Sequence, residues 1–279
     1  MGLDLLLLLL AGLAAGFVAG LVGVGGGIIF APVLFFYFQA AGVSAAVLTP
    51  LTLGSSLLCT LLVALVSAYF QHRRGAVLVR LMVIVGLCSA LAVYLTTRFV
   101  TTQPWYTPEV FQVIFSVVLL TVVARMLLKR PGKASPDPAR PASADASQHS
   151  LAALFGTGTV AGAVSSAVGV GGGVVLVPAY NSFLRIPIHK AVGTSSATIV
   201  LISLAGVLTY SLRGLAADVP ATALGYVDAR AFLLCLPALL TARWGVQAAH
   251  AVNVRALQAA FGLVAVLVAG RLLWGAFGG

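Results

Sequence analysis

Long apolar runs fill most of this chain, and they limit the folds that it can adopt. An α-helix needs ~20 apolar residues to cross a bilayer, and eight runs are about that long. These runs cover residues 3–22, 43–70, 76–100, 110–128, 151–168, 188–212, 229–249 and 256–274. Because 61% of the residues are hydrophobic and only 8% are charged, a water-facing surface cannot be built from them. We therefore predict an all-α polytopic membrane protein with no sizeable soluble domain.

Two shorter apolar runs, residues 28–38 and 174–184, each follow a cluster of glycines. As helices they would reach only ~16 Å, about half of the hydrocarbon thickness. We interpret them as half-helices or re-entrant segments that follow a break. Together with the longer runs, they predict about 8–10 transmembrane segments in total.

The Gly-rich clusters indicate an internal repeat. A shift of 146 positions places the GVGGG at residues 23–27 on the GVGGG at residues 169–173, and Pro32 on Pro178. Self-similarity at a fixed period is the signature of a repeat architecture. We therefore predict two homologous helical repeats, each with a Gly-broken half-helix.

The repeat divides the chain into three parts. We predict a first transmembrane repeat over residues 1–130 and a second over residues 151–279. Residues 131–150 between them are rich in proline and small polar residues, which cannot bury a core. We predict that this segment is a disordered hydrophilic linker.

Basic residues bear on partners and on topology. The net charge is +10, and Arg and Lys stand mostly at the ends of apolar runs, as membrane anchors do. This spread argues against a nucleic-acid surface, which needs basic residues clustered on one face. The basic loops at residues 72–74 and 129–140 are predicted to face the cytoplasm. Four spans in each repeat would make the repeats parallel and five would make them inverted, and both arrangements stay open.

The glycine breaks are the strongest candidates for a functional site. A helix that restarts after a break presents unpaired N–H groups and the positive end of its dipole, which attract anions. Paired Gly-interrupted segments in corresponding positions of two halves are typical of the substrate site of transporters. The candidate substrate-binding residues at the two breaks are Gly25, Gly26, Gly27, Ile28, Gly171, Gly172, Gly173 and Val174. The alternative is that glycines only allow close helix packing, which we favour for Gly12, Gly16 and Gly20.

Hydroxyl groups inside the apolar runs could complete such a site. Thr49 and Ser195 occupy corresponding positions of the repeat, and Thr194 precedes Ser195. Hydroxyls donate hydrogen bonds to an oxyanion without the cost of burying a full charge. We predict these three as further substrate-binding residues. The alternative is that Ser and Thr bond to carbonyls of their own helix.

The charged and reactive residues favour an anion as ligand and argue against catalysis. Asp4, Glu109 and Asp228 lie near the ends of runs, whereas a cation carrier usually needs an acid within the membrane. Arg243 lies inside a run, where it must either snorkel or face a cavity. No HExxH, GxSxG or Walker A sequence is present, and the three cysteines have no metal-like spacing. We therefore predict no enzyme activity, no cofactor and no metal ion.

Three stretches, GLVGVGGGIIFAPVL, SAVGVGGGVVLVPAY and HKAVGTSSATIV, resemble the sulfite exporter TauE/SafE family of membrane permeases. The resemblance covers nearly the whole chain, including both halves and the hydrophilic middle. The A-x-G-T-S element is intact only in the second half, and the first half has AVLT at residues 46–49 instead.

The resemblance implies a secondary permease that moves sulfite or organosulfur/sulfonate anions across the cytoplasmic (inner) membrane. The expected mechanism is alternating access, in which two repeats rock about an anion held at the breaks. A membrane-embedded enzyme and an anion channel are the alternatives. The expected partners are a small inorganic or organosulfur anion and the lipid bilayer, without nucleic acid. Self-association as a homo-oligomer stays open.

Overall fold

The structure of the protein is a computed structural model, which describes residues 2–22, 25–128, 150–248 and 254–277. Along these residues ten α-helices and one short hairpin follow one another. The helices are α1 Gly2–Val22, α2 Gly27–Ala40, α3 Ala45–Arg73, α4 Val79–Thr96, α5 Pro108–Leu128, α6 Leu151–Val168, α7 Gly173–Pro178, α8 Ile188–Arg213, α9 Ala231–Ala248 and α10 Val254–Phe277. Two of them continue as π-helical turns, α4 over Thr97–Thr101 and α7 over Ala179–Phe183.

The predicted all-α membrane class is confirmed, because every predicted apolar run forms a helix. Within the described ranges, α3, α4 with its π turn, α6, α8 and α9 are long and apolar enough to cross a membrane. The two short runs form α2 and α7 with its π turn, and each begins directly after a glycine break. The predicted linker at residues 131–150 lies outside the described residues except for Ser150.

Small residues allow α1 to lie closely along α9. A Cβ atom built on Gly16 would be only 2.5 Å from the Cα atom of Ala238. Gly12 and Gly20 approach the backbone of α9 in the same way. Contacts this short leave no room for a side chain, so the packing role expected of these three glycines is confirmed.

The same arrangement joins α6 to α4. Gly162, which the repeat aligns with Gly16, lies against α4, and a Cβ atom built on it would be 2.9 Å from the Cβ atom of Ala92. The first helix of each half therefore lies along the fourth helix of the other half.

The central helices α3 and α8 cross in an antiparallel manner. Gly54 lies against Tyr210, and Leu57 lies against Gly206, so later residues of α3 meet earlier residues of α8. Small residues on both helices again permit the close approach. This crossing forms the middle of the molecule and is almost completely buried.

The helices α5 and α10 are also antiparallel neighbours. Gln112 lies against Gly275, and the hydroxyl of Ser116 donates to the carbonyl of Ala269 at 3.3 Å. Thus helices at the same place in the two halves run in opposite directions where they touch. A two-fold axis lying across the helices would produce this pairing, which favours the inverted arrangement of the predicted repeats.

A two-stranded hairpin connects α8 to α9. Its strands, β1 Ala223–Leu224 and β2 Val227–Asp228, are antiparallel. The hairpin lies against α3, where the backbone N–H of Asp228 donates to the hydroxyl of Ser55 at 2.9 Å. Gly54 leaves space for the carbonyl of Tyr226 beside it. The hairpin was not predicted from the sequence, because its strands are only two residues long.

Candidate functional site

The two Gly-rich breaks meet at the crossing of α3 and α8. Cβ atoms built on Gly25 and on Gly171 would both contact the same two side chains, Thr60 of α3 and Ile199 of α8. From Gly171 the distances are 2.5 Å to Cγ2 of Thr60 and 2.9 Å to Cγ2 of Ile199. Two breaks that are distant in sequence therefore occupy one place in the core. Positions 23 and 24 of the first break lie outside the described residues.

A direct backbone contact also joins the breaks. A Cβ atom built on Gly27 would lie 2.5 Å from the Cα atom of Val170 and 2.8 Å from the carbonyl oxygen of Gly169. Real Cβ atoms do not approach backbone atoms this closely. Only glycine fits at position 27 without a shift of the second break.

Glycines at both breaks hold left-handed backbone conformations. The φ angle is +82° at Gly25 and +74° at Gly26, and it is +77° at Gly171 and +80° at Gly172. Residues with a Cβ atom adopt such angles at a steric cost, whereas glycine adopts them freely. The same two positions of each break therefore require glycine for the turn into the following helix.

Each break leads straight into a helix. The carbonyl of Gly26 accepts a hydrogen bond from the N–H of Ile29, and the carbonyl of Gly172 accepts one from Val175, both at 3.0 Å. The N–H groups ahead of these have no acceptor inside their own helix and carry the positive end of its dipole. Two helix starts with donor groups thus lie close to one point of the core.

All of the residues predicted at the breaks lie at or beside this meeting point. Seven of them are buried and Val174 is half-buried; the seven are Gly25, Gly26, Gly27, Ile28, Gly171, Gly172 and Gly173. Backbone donors in a water-free position bind an anion strongly, because no solvent competes for them.

The predicted hydroxyls lie on the two crossing helices but away from the breaks. Thr49 is buried near the start of α3, about 16 Å along the helix axis from Thr60. Thr194 and Ser195 are buried near the start of α8, and Thr194 accepts a hydrogen bond from the N–H of Leu78 at 3.0 Å. Because α3 and α8 are antiparallel, Thr49 and Ser195 lie at opposite ends of the crossing.

Sequence reasoning missed two polar side chains that do lie at the breaks, Thr60 and Ser203. The hydroxyl oxygen of Ser203 is 3.2 Å from the Cβ position of Gly171, which Thr60 also contacts. Both side chains are fully buried, and neither hydroxyl has a hydrogen-bond partner. Helical spacing puts Thr60 one turn after Ser56 and Ser203 one turn after Ile199, but this spacing does not distinguish them from the other hydroxyls of the same helices.

Other hydroxyls near the crossing have partners. Thr52 and Thr198 each donate at 2.8 Å to the carbonyl four residues earlier, which is the own-helix bonding considered as the alternative. Ser56 instead donates across to the carbonyl of Gly169 at 2.8 Å. That bond fastens the second break to α3.

Charged side chains on the two crossing helices stay near the helix ends. The nearest Arg or Lys residues on α3 and α8 are Arg73, Lys190 and Arg213, which lie ~15 Å or more along the axes from Thr60 and Ser203. Neither helix carries an Asp or Glu. The polar groups that these helices bring to the breaks are therefore uncharged.

A buried ion pair lies on the hairpin beside α3. Asp228 is fully buried and accepts hydrogen bonds from Nη2 of Arg230 at 2.6 Å and from the hydroxyl of Thr222 at 3.0 Å. The guanidinium of Arg230 also lies over the rings of Tyr37 and Phe38, at 5.8 and 5.3 Å from their centres. Hydrogen bonds to Asp228 raise the pKa of Arg230, so the arginine stays charged.

Two other features lie apart from the breaks. Arg243 is exposed, with its guanidinium 5.5 Å from the ring centre of Trp244, as expected of a snorkelling side chain. A groove of about 610 Å³ between α5, α6 and α7 is lined by valines more often than by any other residue, and it reaches Val174 without including the break glycines. In the part of the chain that the structure describes, no cluster of three or more His, Cys, Asp or Glu could hold a metal ion.

Comparison with known proteins gives relatives along almost the full length. A probable membrane transporter protein of Haemophilus influenzae is 27% identical over 268 residues, which cover 95% of this chain and 96% of that protein. One of Methanocaldococcus jannaschii is 22% identical over 242 residues, 86% of this chain and 85% of that protein. The probable membrane transporter protein YunE of Bacillus subtilis is 28% identical over 225 residues, 76% of this chain and 80% of that protein. No solved structure matches the chain.

The family comparison agrees with these relatives and with the resemblance noted in the glycine motifs. The sequence pattern of the family described as Sulfite exporter TauE/SafE matches residues 8–272, which include both breaks and both crossing helices. This multi-pass membrane protein belongs to the sulfite exporter TauE/SafE family of membrane transporters.

Proposed function

We propose that this protein is a secondary permease for sulfite or organosulfur/sulfonate anions in the cytoplasmic (inner) membrane. The observation that carries the proposal is the meeting of the two Gly-rich breaks at the crossing of α3 and α8. The anion would lie there, between N–H groups near Gly25–Ile28 and near Gly171–Val174. Binding sites at helix breaks between two halves are typical of transporters.

The chemistry of the meeting point supports an anion rather than a cation. Helix starts offer N–H donors and positive dipole ends, and hydroxyls add further donors. The two crossing helices bring no carboxylate to this place, and the hairpin's Asp228 is already paired with Arg230. A cation would need negatively charged or carbonyl ligands in the membrane, which these side chains do not supply.

The packing of the helices supports alternating access between the two repeats. The first helix of each half lies along the fourth helix of the other, and α3 and α8 cross antiparallel. We propose that the repeats, residues 1–130 and 151–279, are inverted and rock about the crossing. Thr49 and Ser195 would then occupy equivalent positions, one on each side of the bound anion.

The experiment that tests this function is uptake of labelled sulfite into proteoliposomes. Thiosulfate, sulfate, methanesulfonate, sulfoacetate, taurine and chloride serve as competitors, under imposed pH and sodium gradients. We expect saturable flux that methanesulfonate reduces and chloride does not. Flux that never saturates would indicate the anion channel instead. If the protein produces no flux of any of these anions, the permease proposal is overturned, and a membrane-embedded enzyme becomes the alternative to test.

A further inference from the structure

Six buried side-chain oxygen atoms of the described residues have no hydrogen-bond partner. They are Oε1 of Gln112 and the hydroxyls of Thr49, Thr60, Ser67, Ser165 and Ser203. An unpaired buried hydroxyl costs free energy, and most such groups in proteins are bonded. Two of these six, Thr60 and Ser203, lie together at the meeting point of the breaks.

The two hydroxyl-bearing side chains flank the backbone of Gly171. The Cβ position of that glycine is 2.5 Å from Cγ2 of Thr60 and 3.2 Å from the hydroxyl oxygen of Ser203. Thr60 is also beside the other break, at 2.9 Å from the Cβ position of Gly25. A ligand bound to the breaks would therefore lie next to the hydroxyl of Ser203 and beside the side chain of Thr60, whose methyl group contacts both glycine positions.

The lack of a hydrogen-bond partner is not general among the buried hydroxyls of α3 and α8. Thr52, Ser196, Thr198 and Thr209 all donate to the carbonyl four residues earlier on their own helix. Thr60 and Ser203 make no such bond, although they are equally buried in the same helices. Their donor groups are thus free for a ligand that arrives from outside the protein.

We propose that Thr60 and Ser203 are the side-chain donors of the transport site, and that this site selects monovalent oxyanions. The proposal deepens the permease function above and rests on it. Hydrogensulfite and sulfonates without a second ionised group, such as methanesulfonate, belong to this class, whereas sulfate, sulfoacetate and fully deprotonated sulfite are dianions. The hydroxyls and N–H groups at the breaks are neutral, and burying a second negative charge without a cation has a large desolvation cost.

The charged and titratable groups around the crossing agree with this selectivity. Asp228 and Arg230 form a pair beside Ser55 and cancel each other's charge. Cys59 on α3 and Tyr210 on α8 are the other titratable side chains that the two crossing helices bury. None of these supplies a free positive charge for a dianion.

The first arm of the test compares anions of different charge in proteoliposomes. Methanesulfonate is a monoanion throughout, so its flux serves as the control for any effect of pH on the protein itself. Across the pH range in which hydrogensulfite loses its proton, we expect sulfite flux to fall as pH rises while methanesulfonate flux stays level. Sulfate that competes as well as methanesulfonate, or sulfite flux that is constant with pH, would overturn the selectivity for monoanions.

The second arm removes the hydroxyls one at a time. We expect Thr60→Val and Ser203→Ala each to raise the KM for methanesulfonate about tenfold, because each removes one hydrogen bond to a charged ligand. The matched controls are Ser67→Ala, an unpartnered buried serine on α3, and Thr209→Val on α8. These controls should keep the KM of the unaltered protein. Unchanged KM values in both site variants would contradict the role of the hydroxyls.

A binding measurement separates this proposal from the proposed function. Thermal unfolding of the purified protein in detergent is followed with methanesulfonate, sulfite and sulfate. One outcome is that monoanions stabilise the unaltered protein but not Thr60→Val or Ser203→Ala, while no sulfite flux is measured. That result would overturn only the transport of sulfur anions and keep the binding site. A protein that no monoanion stabilises would overturn the binding site as well.

Discussion

Gly27 and Val170, one in each Gly-rich break, touch so closely that a Cβ atom on the glycine would lie 2.5 Å from the Cα atom of the valine. No side chain lies between the two residues, so the backbones of the two halves are in direct contact. A movement of one break must therefore displace the other. This contact links the backbones of the two halves at the proposed site.

Replacing Gly27 with Ala is expected to push the two breaks apart. The added Cβ atom would meet backbone atoms of the second break, which cannot rotate away as a side chain can. We expect destabilisation of about 1–3 kcal/mol, as in other overpacked cores, together with reduced flux. Thermal unfolding in detergent and proteoliposome uptake measure the two effects. Gly156→Ala is the control, since its Cβ atom would meet nothing within 4 Å, and an equal loss in both variants would contradict the argument.

Val in place of Gly26 or Gly172 is expected to abolish flux while leaving membrane insertion intact. Both glycines have left-handed φ angles directly before a helix start, and a β-branched residue would move the N–H donors out of place. Uptake of labelled sulfite measures the flux, and membrane fractionation measures the insertion. The control is Gly42→Val, because Gly42 has a similar φ of +75° but open space around it. Normal transport by the two Val variants would mean that the breaks serve packing alone.

Asp228→Asn is expected to loosen the hairpin from α3. The substitution removes the buried negative charge that Arg230 and Thr222 satisfy, and it leaves the guanidinium without its partner. Loss of a fully buried pair costs about 3–5 kcal/mol. Because Arg230 keeps a quarter of its side chain exposed, we expect about 1–3 kcal/mol here. Thermal unfolding measures the change, and the exposed Asp218→Asn in the same connection should have none. Equal stability of both variants would contradict the role given to the pair.

The inverted arrangement predicts where the C-terminus lies. Five crossings in each half place a reporter fused after residue 279 on the opposite side of the membrane from one inserted within residues 131–150. A reporter inserted at Gly75, between α3 and α4, should lie on the same side as the middle segment, because α4 and α5 return the chain. Reporter activity in intact cells measures all three positions. Finding all three on one side would instead support parallel repeats.

Much of the fold could be predicted because it depends on local properties. The length of an apolar run determines whether a helix can span a bilayer, and glycine clusters end helices wherever they occur. The ends of most helices accordingly lie within a few residues of the predicted runs. The hairpin between α8 and α9 could not be predicted in this way, since its short strands are held by contacts with α3 rather than by their own sequence.

The candidate site likewise has residues that the sequence could identify and residues that it could not. The glycines at both breaks could be selected from their repetition, and the structure brings them together. Thr60 and Ser203 could not be distinguished from the other hydroxyls, because which hydroxyl lacks a partner depends on the neighbouring helix. Thr49 and Ser195 were selected because the repeat aligns them. In the structure they lie several helical turns from the breaks, at opposite ends of the crossing.

Hydrophobic length and glycine flexibility act locally, so the amino-acid sequence is enough to predict a helical membrane protein with two Gly-broken segments. The meeting of both breaks at one crossing, with Thr60 and Ser203 there without partners, is visible only in the folded protein. Helix–helix contacts depend on side chains that folding brings together from distant parts of the chain. Those contacts, and not the motifs alone, determine which donors an anion would meet.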